Sequence, residues 1–192
     1  MKLTNSIKII LFIISLALSF SLSAADKPVS ILKVQEFMGS DGVKHRLKDY
    51  LGKGKWTTVI VWGPKCPACI EEMPEMQGLY DDREKTNIDV LGLAVDFPSF
   101  TYAKMEQVKK FEEDYFITFP NLLISSNMFY DLGLGALQGT PTVILVDPRG
   151  DVSAVQLGGV PRNVIENYIA KQISKKDLLS TKITKQHKKE PM

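Results

Sequence analysis

Apolar positions along this chain recur with two periods that take turns, one of about two residues and one near 3.6. Ile31–Met38 and Val43–Leu47 flank Ser40-Asp41-Gly42, which predicts an N-terminal β-hairpin with an Asp-Gly turn. A short helical turn at Lys48–Leu51 follows, and then the β-branched run Thr57–Trp62 as the first central strand. Ile70, Met73, Met76, Leu79 and Tyr80 recur at helical spacing, so a helix should run from Pro67 to about Glu84, with a kink at the internal Pro74. Beyond it the pattern predicts a buried strand at Ile88–Val95, a helix at Tyr102–Tyr115, an extended piece at Asn121–Ile124 and a helical turn at Met128–Leu132. Thr142–Asp147 and Val152–Leu157 then form a second hairpin across Pro148-Arg149-Gly150. A last helix spans Val160–Ile173, with Val164, Ile165, Tyr168 and Ile169 as its packing positions. Strands separated by helices and closed by a hairpin predict an α/β fold, a mixed central sheet flanked by helices on both faces.

One apolar stretch fits neither period. Lys2 and Lys8 precede the run Ile9–Leu22, and Ser23-Ala24-Ala25 supplies the small residues of a cleavage site. Residues 1–25 therefore read as a secretory signal peptide, with a mature chain starting at Asp26 and working in the periplasm. The alternative is an anchor to the inner membrane formed by residues 7–22, which the short run disfavours because a spanning helix needs about 20 apolar residues. The body, residues 26–170, is long enough for one domain with a real core.

Charge adds one feature. The chain carries +2, and loss of Lys2 and Lys8 with the signal leaves bases and acids equal. Within that balance, residues 171–192 hold seven lysines against Asp177 and Glu190, a tail at +5 on a body at −5. Few core residues fall in this tail, so the sequence predicts a flexible, solubilising C-terminus, with contact to anionic lipid or an acidic partner as the other reading. No basic patch interleaved with aromatics argues for nucleic acid binding.

The candidate chemistry lies in the only two cysteines, Cys66 and Cys69, in Trp62-Gly63-Pro64-Lys65-Cys66-Pro67-Ala68-Cys69. A strand that delivers Cys-x-x-Cys to the first turn of a helix is a redox device. Pro67 suits the first helical position, which leaves Cys66 at the N-cap among unpaired backbone N–H groups. The positive end of the helix dipole favours its thiolate, as does the neighbouring Lys65. Cys66 is then the nucleophile. Cys69, one turn deeper on the same face, resolves the mixed disulfide that Cys66 forms, which is thiol–disulfide exchange. No cofactor is required. Ile70 excludes a haem attachment motif, and His45 and His187 lie too far along the chain to complete a zinc site. Gly63, three before Cys66, is neither threonine nor serine, which disfavours a peroxiredoxin arrangement. Two thiolates with Met73 and Met76 form a soft set, so a copper-binding or chaperone-like module is the alternative of a different class, though methionine at this spacing is commonly core.

These residues together resemble the thioredoxin fold. Trp62 ends a strand, the cysteine pair opens a helix, Pro74 follows Cys66 by eight residues, and Gly139-Thr140-Pro141-Thr142 precedes a strand. The N-terminal hairpin, the added strand–helix segment between Ile88 and Pro120 and the export signal make residues 31–170 similar to the TlpA/ResA-like extracytoplasmic thiol–disulfide oxidoreductases. The resemblance implies a cis-Pro141 facing the cysteine pair, with the Thr140 backbone offered to an extended client segment. It also implies that Glu72, in the pattern Cys-x-x-Cys-x-x-Glu-x-Pro, exchanges a proton with Cys69, where the bland reading is a solvated acidic helix face. Trp62 and Lys65 complete the expected substrate-binding set, with core packing as the other reading of Trp62.

The implied activity is a reductase of protein disulfides supplied by a membrane thiol donor, in cytochrome c maturation or other envelope thiol maintenance. A disulfide oxidase or isomerase is the alternative direction. Two positions depart from the thioredoxin pattern. Ile60 stands where a buried aspartate would shuttle protons, and Lys65 stands where a tryptophan usually precedes the first cysteine.

Overall fold

The computed structural model describes residues 29–32, 35–96 and 103–187, with side chains through residue 180. The expected signal peptide, the first residue of the expected Tyr102 helix and the last five residues of the tail lie outside the described residues.

Seven strands form one sheet: β1 (Glu36–Gly39), β2 (Lys44–Arg46), β3 (Trp56–Trp62), β4 (Ile88–Asp96), β5 (Asn121–Ser125), β6 (Thr142–Val146) and β7 (Val152–Leu157). Their order is β2-β1-β5-β4-β3-β6-β7. The three central strands β5, β4 and β3 run parallel, and β6, β7 and the β1–β2 hairpin are added antiparallel. Every residue of β3 is buried, as expected of a strand covered on both faces.

The helices are α1 (Pro67–Asp81), α2 (Arg83–Thr86), α3 (Met105–Tyr115), α4 (Ser126–Phe129) and α5 (Arg162–His187). One face of the sheet is covered by α1, α3 and α5, through Met73, Met76 and Leu79, Val108 and Phe111, and Ile165 and Ile169. The other face is filled from less regular segments, by Ile31, Leu47, Leu51, Phe129 and Leu132. Alternation along β3 divides the two cores: Ile60 and Trp62 join the first, Val59 and Val61 the second.

Several expectations shift. The first strand does not extend back to Ile31, because Ser30 bridges to Asp151 and Val152 donates its N–H to Val29 O at 2.8 Å, so the chain start crosses to β7. The helix after the cysteines stops at Asp81, and α2 forms a separate turn ended by Asn87 in the left-handed region (φ 57°). Pro74 lies inside α1, where the sequence placed it. At the C-terminus, α5 starts at Arg162 and continues beyond Ile173 to His187. Strong helix formers such as Lys, Leu and Gln populate that stretch, and no glycine or proline interrupts it. Ile165 and Ile169 pack as expected, whereas Val164 is half exposed.

Candidate active site

Strand β3 ends at Trp62, and the loop Gly63–Lys65 carries the chain to the start of α1. Cys66 has extended backbone angles (φ −91°, ψ 110°), and its carbonyl accepts the first helical bonds, from Cys69 N at 3.0 Å and Ile70 N at 3.1 Å. It is thus the N-cap, with Pro67 at the first helical position. Cys66 Sγ accepts from the Cys69 backbone N–H at 3.2 Å, a contact that would stabilise a negative sulfur. Cys66 and Cys69 are joined as a disulfide, with Cα atoms 5.2 Å apart.

The two sulfurs differ in access. Cys66 keeps 8% of its surface exposed and Cys69 none. Cys69 belongs to the same core as Ile60, Met73 and Met76, all fully buried. The two methionines that would complete a soft copper site are therefore part of the helix–sheet core. Ile60 leaves this side of the pair apolar where a shuttling acid might have stood.

Across from Cys66 lies the loop Gly139–Thr142. Cys66 Sγ is 3.4 Å from Thr140 O, and the Thr140–Pro141 bond is cis. Thr142 Oγ1 donates to Gly139 O at 2.8 Å, closing the loop on itself, while Gly158 N donates to Pro141 O at 2.8 Å and ties it to the end of β7. Lys65 is exposed immediately before Cys66.

Glu72 is not on a solvated face. It is 8% exposed, and its Oε1 accepts from Val160 N at 2.8 Å. A Cβ on Gly159 would collide with Glu72 Oε2, so glycine at 159 is what lets the loop close over the carboxylate. Burial pushes the Glu72 carboxyl above the usual carboxylate range; the Val160 N–H opposes this and neighbouring Glu75 adds to it. Glu71 and Glu75, by contrast, are exposed.

Trp62, expected among the substrate-contacting residues, is fully buried. Its ring packs 4.6 Å from that of Phe111, and its Nε1 donates to Asn121 Oδ1 at 2.8 Å. Asn121 Nδ2 in turn donates to Glu112 Oε1 at 2.9 Å and to Phe119 O at 3.2 Å. Trp62 has no exposed surface to offer a client, which favours its core-packing reading. Sequence reasoning also missed Asn121 and the Val160 N–H. A lone asparagine opening an apolar strand and the pair Gly158-Gly159 were the available signals.

An α/β sheet with an N-capping cysteine that keeps a small exposed edge, a fully buried partner cysteine one turn on and a cis-proline loop opposite defines a thioredoxin-fold thiol–disulfide oxidoreductase. The chain belongs to the AhpC/TSA family, which it matches over residues 26–155, and within the thioredoxin fold it is of the TlpA/ResA-like type. It is 32% identical over 137 residues to the thiol-disulfide oxidoreductase ResA of Geobacillus thermodenitrificans, covering 70% of this chain and 72% of that one. It is 30% identical over 171 residues to ResA of Bacillus thuringiensis, covering 85% and 92%. A thiol:disulfide interchange protein of Chlorobium tepidum has the same fold, with a TM-score of 0.62 at 21% identity over 77% of this chain and 98% of that one.

Proposed function

We propose that this enzyme reduces disulfides in exported protein clients, with Cys66 as attacking and Cys69 as resolving thiol. The unequal access of the two sulfurs carries this reading. In the reduced protein the Cys66 thiolate attacks one sulfur of a client disulfide, forming a mixed disulfide and releasing the other client sulfur as a thiolate that takes up a proton. Cys69, deprotonated, then attacks Cys66 Sγ, expels the second client thiol and closes the Cys66–Cys69 disulfide. Two electrons and two protons have passed to the client, and a dithiol donor must restore the pair. A membrane thiol protein is the expected donor, and envelope thiol maintenance or cytochrome c maturation the expected setting. The apolar run Ile9–Leu22 and Ser23-Ala24-Ala25 support export to the periplasm. Among the described residues no helix is long and apolar enough to cross a membrane.

Thr140 lies opposite Cys66 and offers backbone groups with which an extended client segment can pair while its disulfide is attacked. Lys65, exposed at the rim, adds a cation to the docking surface. Direction is tested by glutathione-buffered equilibration together with a protein-disulfide reduction assay driven by a chemical dithiol. A reductase gives a potential at or below about −230 mV and turns over the assay; a potential near about −120 mV would make the protein an oxidant instead.

Glu72 is the group we assign to proton exchange with Cys69. It lies one helical turn beyond that cysteine, and burial lets it hold a proton above the usual carboxylate range. Glu72→Gln retains an oxygen for the Val160 N–H and removes the exchangeable proton. Exchange should slow about tenfold or more, with a flattened rate profile between about pH 5 and about pH 9. The stability effect has the opposite sign. A carboxyl raised by folding contributes fully below its unfolded pKa and loses that contribution as pH rises through its folded value. The glutamine variant should therefore be at least as stable as the parent at neutral pH. An unaltered pH–rate profile would return Glu72 to a purely structural role.

A further inference from the structure

The C-terminal part of α5 is exposed to solvent through Ser180. Ile165 and Ile169 are buried against the sheet, but every residue from Ile173 to Ser180 is exposed. Among them Ile173 is 48%, Leu178 66% and Leu179 53% exposed. The helix continues through His187, so the stretch from Ile173 projects by about 22 Å at 1.5 Å per residue. Its charge opposes that of the body: residues 171–192 carry +5 and residues 26–170 carry −5.

Its direction follows from long-range contacts. Near its start, Val160 N meets Glu72, and the Arg162 guanidinium donates to Gly78 O at 2.9 Å and pairs with Asp82 at 2.9 Å. Two turns later, Tyr168 Oη donates to Ser153 O at 2.9 Å. Ser153 lies at the start of β7, the end of the sheet opposite the cysteine pair, because β6 leaves the pair at Thr142 and Leu157 returns beside it. Val29 is held at that same far end by Val152. The lysine-rich helix and the segment at Val29 thus lie at one pole of the domain, and Cys66 occupies the other.

We infer that the projecting part of α5 is a membrane-surface element that lies on bilayers bearing anionic headgroups, with the redox pair turned away toward soluble clients. At 100° per residue, Lys171, Lys175, Lys182 and Lys185 fall within about 80° of arc, and Ile173, Leu179 and Ile183 within about 120° on the other side. Lys176 interrupts the apolar arc and Leu178 the basic one, so the helix is only partly amphipathic. Adsorption is accordingly led by charge, with shallow insertion of the leucines and isoleucines, and is reversible and sensitive to salt. Apolar side chains exposed among the lysines favour a bilayer over a purely acidic protein surface. This inference does not depend on the direction of electron flow.

The test is co-sedimentation of the whole protein, purified from the envelope of producing cells, with vesicles of phosphatidylcholine alone or mixed with phosphatidylglycerol. Binding to the anionic vesicles should exceed binding to neutral ones by about tenfold or more at ~0.05 M salt and be lost at ~0.5 M. The variant K171Q/K175Q/K182Q/K185Q should lose that preference while reducing disulfides in solution at the parental rate, which shows that it is folded. Equal, salt-insensitive binding to both vesicle types would point to the apolar residues near the chain start and overturn the inference. So would anionic binding unchanged in the variant. A lysine-dependent dimer that ignores vesicles would overturn it too, by making the acidic body of a second copy the occupant.

Discussion

Cys66→Ser should abolish disulfide exchange, and Cys69→Ser should convert the enzyme into a trap that stays covalently bound to its clients. Both outcomes follow from the same asymmetry. Cys66 Sγ sits at the N-cap with the Cys69 N–H 3.2 Å away and part of its surface open, whereas Cys69 is sealed under the first turn of α1. Only the first sulfur can meet a client disulfide, so its loss leaves turnover at the uncatalysed background. Without Cys69 the first attack still proceeds, but nothing inside the protein displaces the client, and mixed disulfides accumulate. Non-reducing gels of the envelope fraction and mass spectrometry of the adducts read this directly. In the reduced parent at neutral pH, alkylating agents should modify Cys66 first; preferential labelling of Cys69 would reverse the assignment.

Trp62→Ala should cost about 3–5 kcal/mol of folding stability, read as a lowered urea midpoint. Trp62 is fully buried against Phe111, and its removal opens a cavity and leaves Asn121 Oδ1 without its donor. Trp62→Phe separates the two effects. It keeps most of the apolar volume but still strands the asparagine oxygen, and should cost about 1–3 kcal/mol. Gly92→Ala probes the same cluster from the neighbouring strand. A Cβ there would collide with Asn121 Oδ1 and come within 3.0 Å of Trp62 Nε1, so about 1–3 kcal/mol should be lost through overpacking. Because Trp62 is the last residue of β3, four before Cys66, these variants should also slow exchange more than their folded fraction explains. If Trp62→Ala melts within 1 kcal/mol of the parent, a change smaller than about one buried methylene pair, the network has no anchoring role.

Much of this architecture is written in short-range chemistry. The Asp41-Gly42 turn has Gly42 at φ 85°, the β-branched run makes β3, and Pro67 after Cys66 starts α1, each within a residue or so of expectation. Such features involve neighbours within about one helical turn or one hairpin, so composition and spacing specify them. The positions of Cys66 and Cys69 belong to this group, since a three-residue separation at a helix start brings them together whatever else the chain does.

What tertiary structure alone decided involves partners far apart in sequence. Glu72 reads equally well as a solvated acid or a buried one until Val160, 88 residues away, closes over it through Gly159. Trp62 became an anchor because Asn121 arrives 59 residues later with a free carbonyl oxygen. Val29 and Ser30 had no encoded partner, and Asp151 and Val152 supplied one, which draws the chain before Ile31 away from the hairpin. Periodicity fixes which side of a strand or helix is apolar, but which polar group faces a given carboxylate or indole is set only when distant segments are brought together around the core. There, an unpaired donor or acceptor costs more than any local preference can offset.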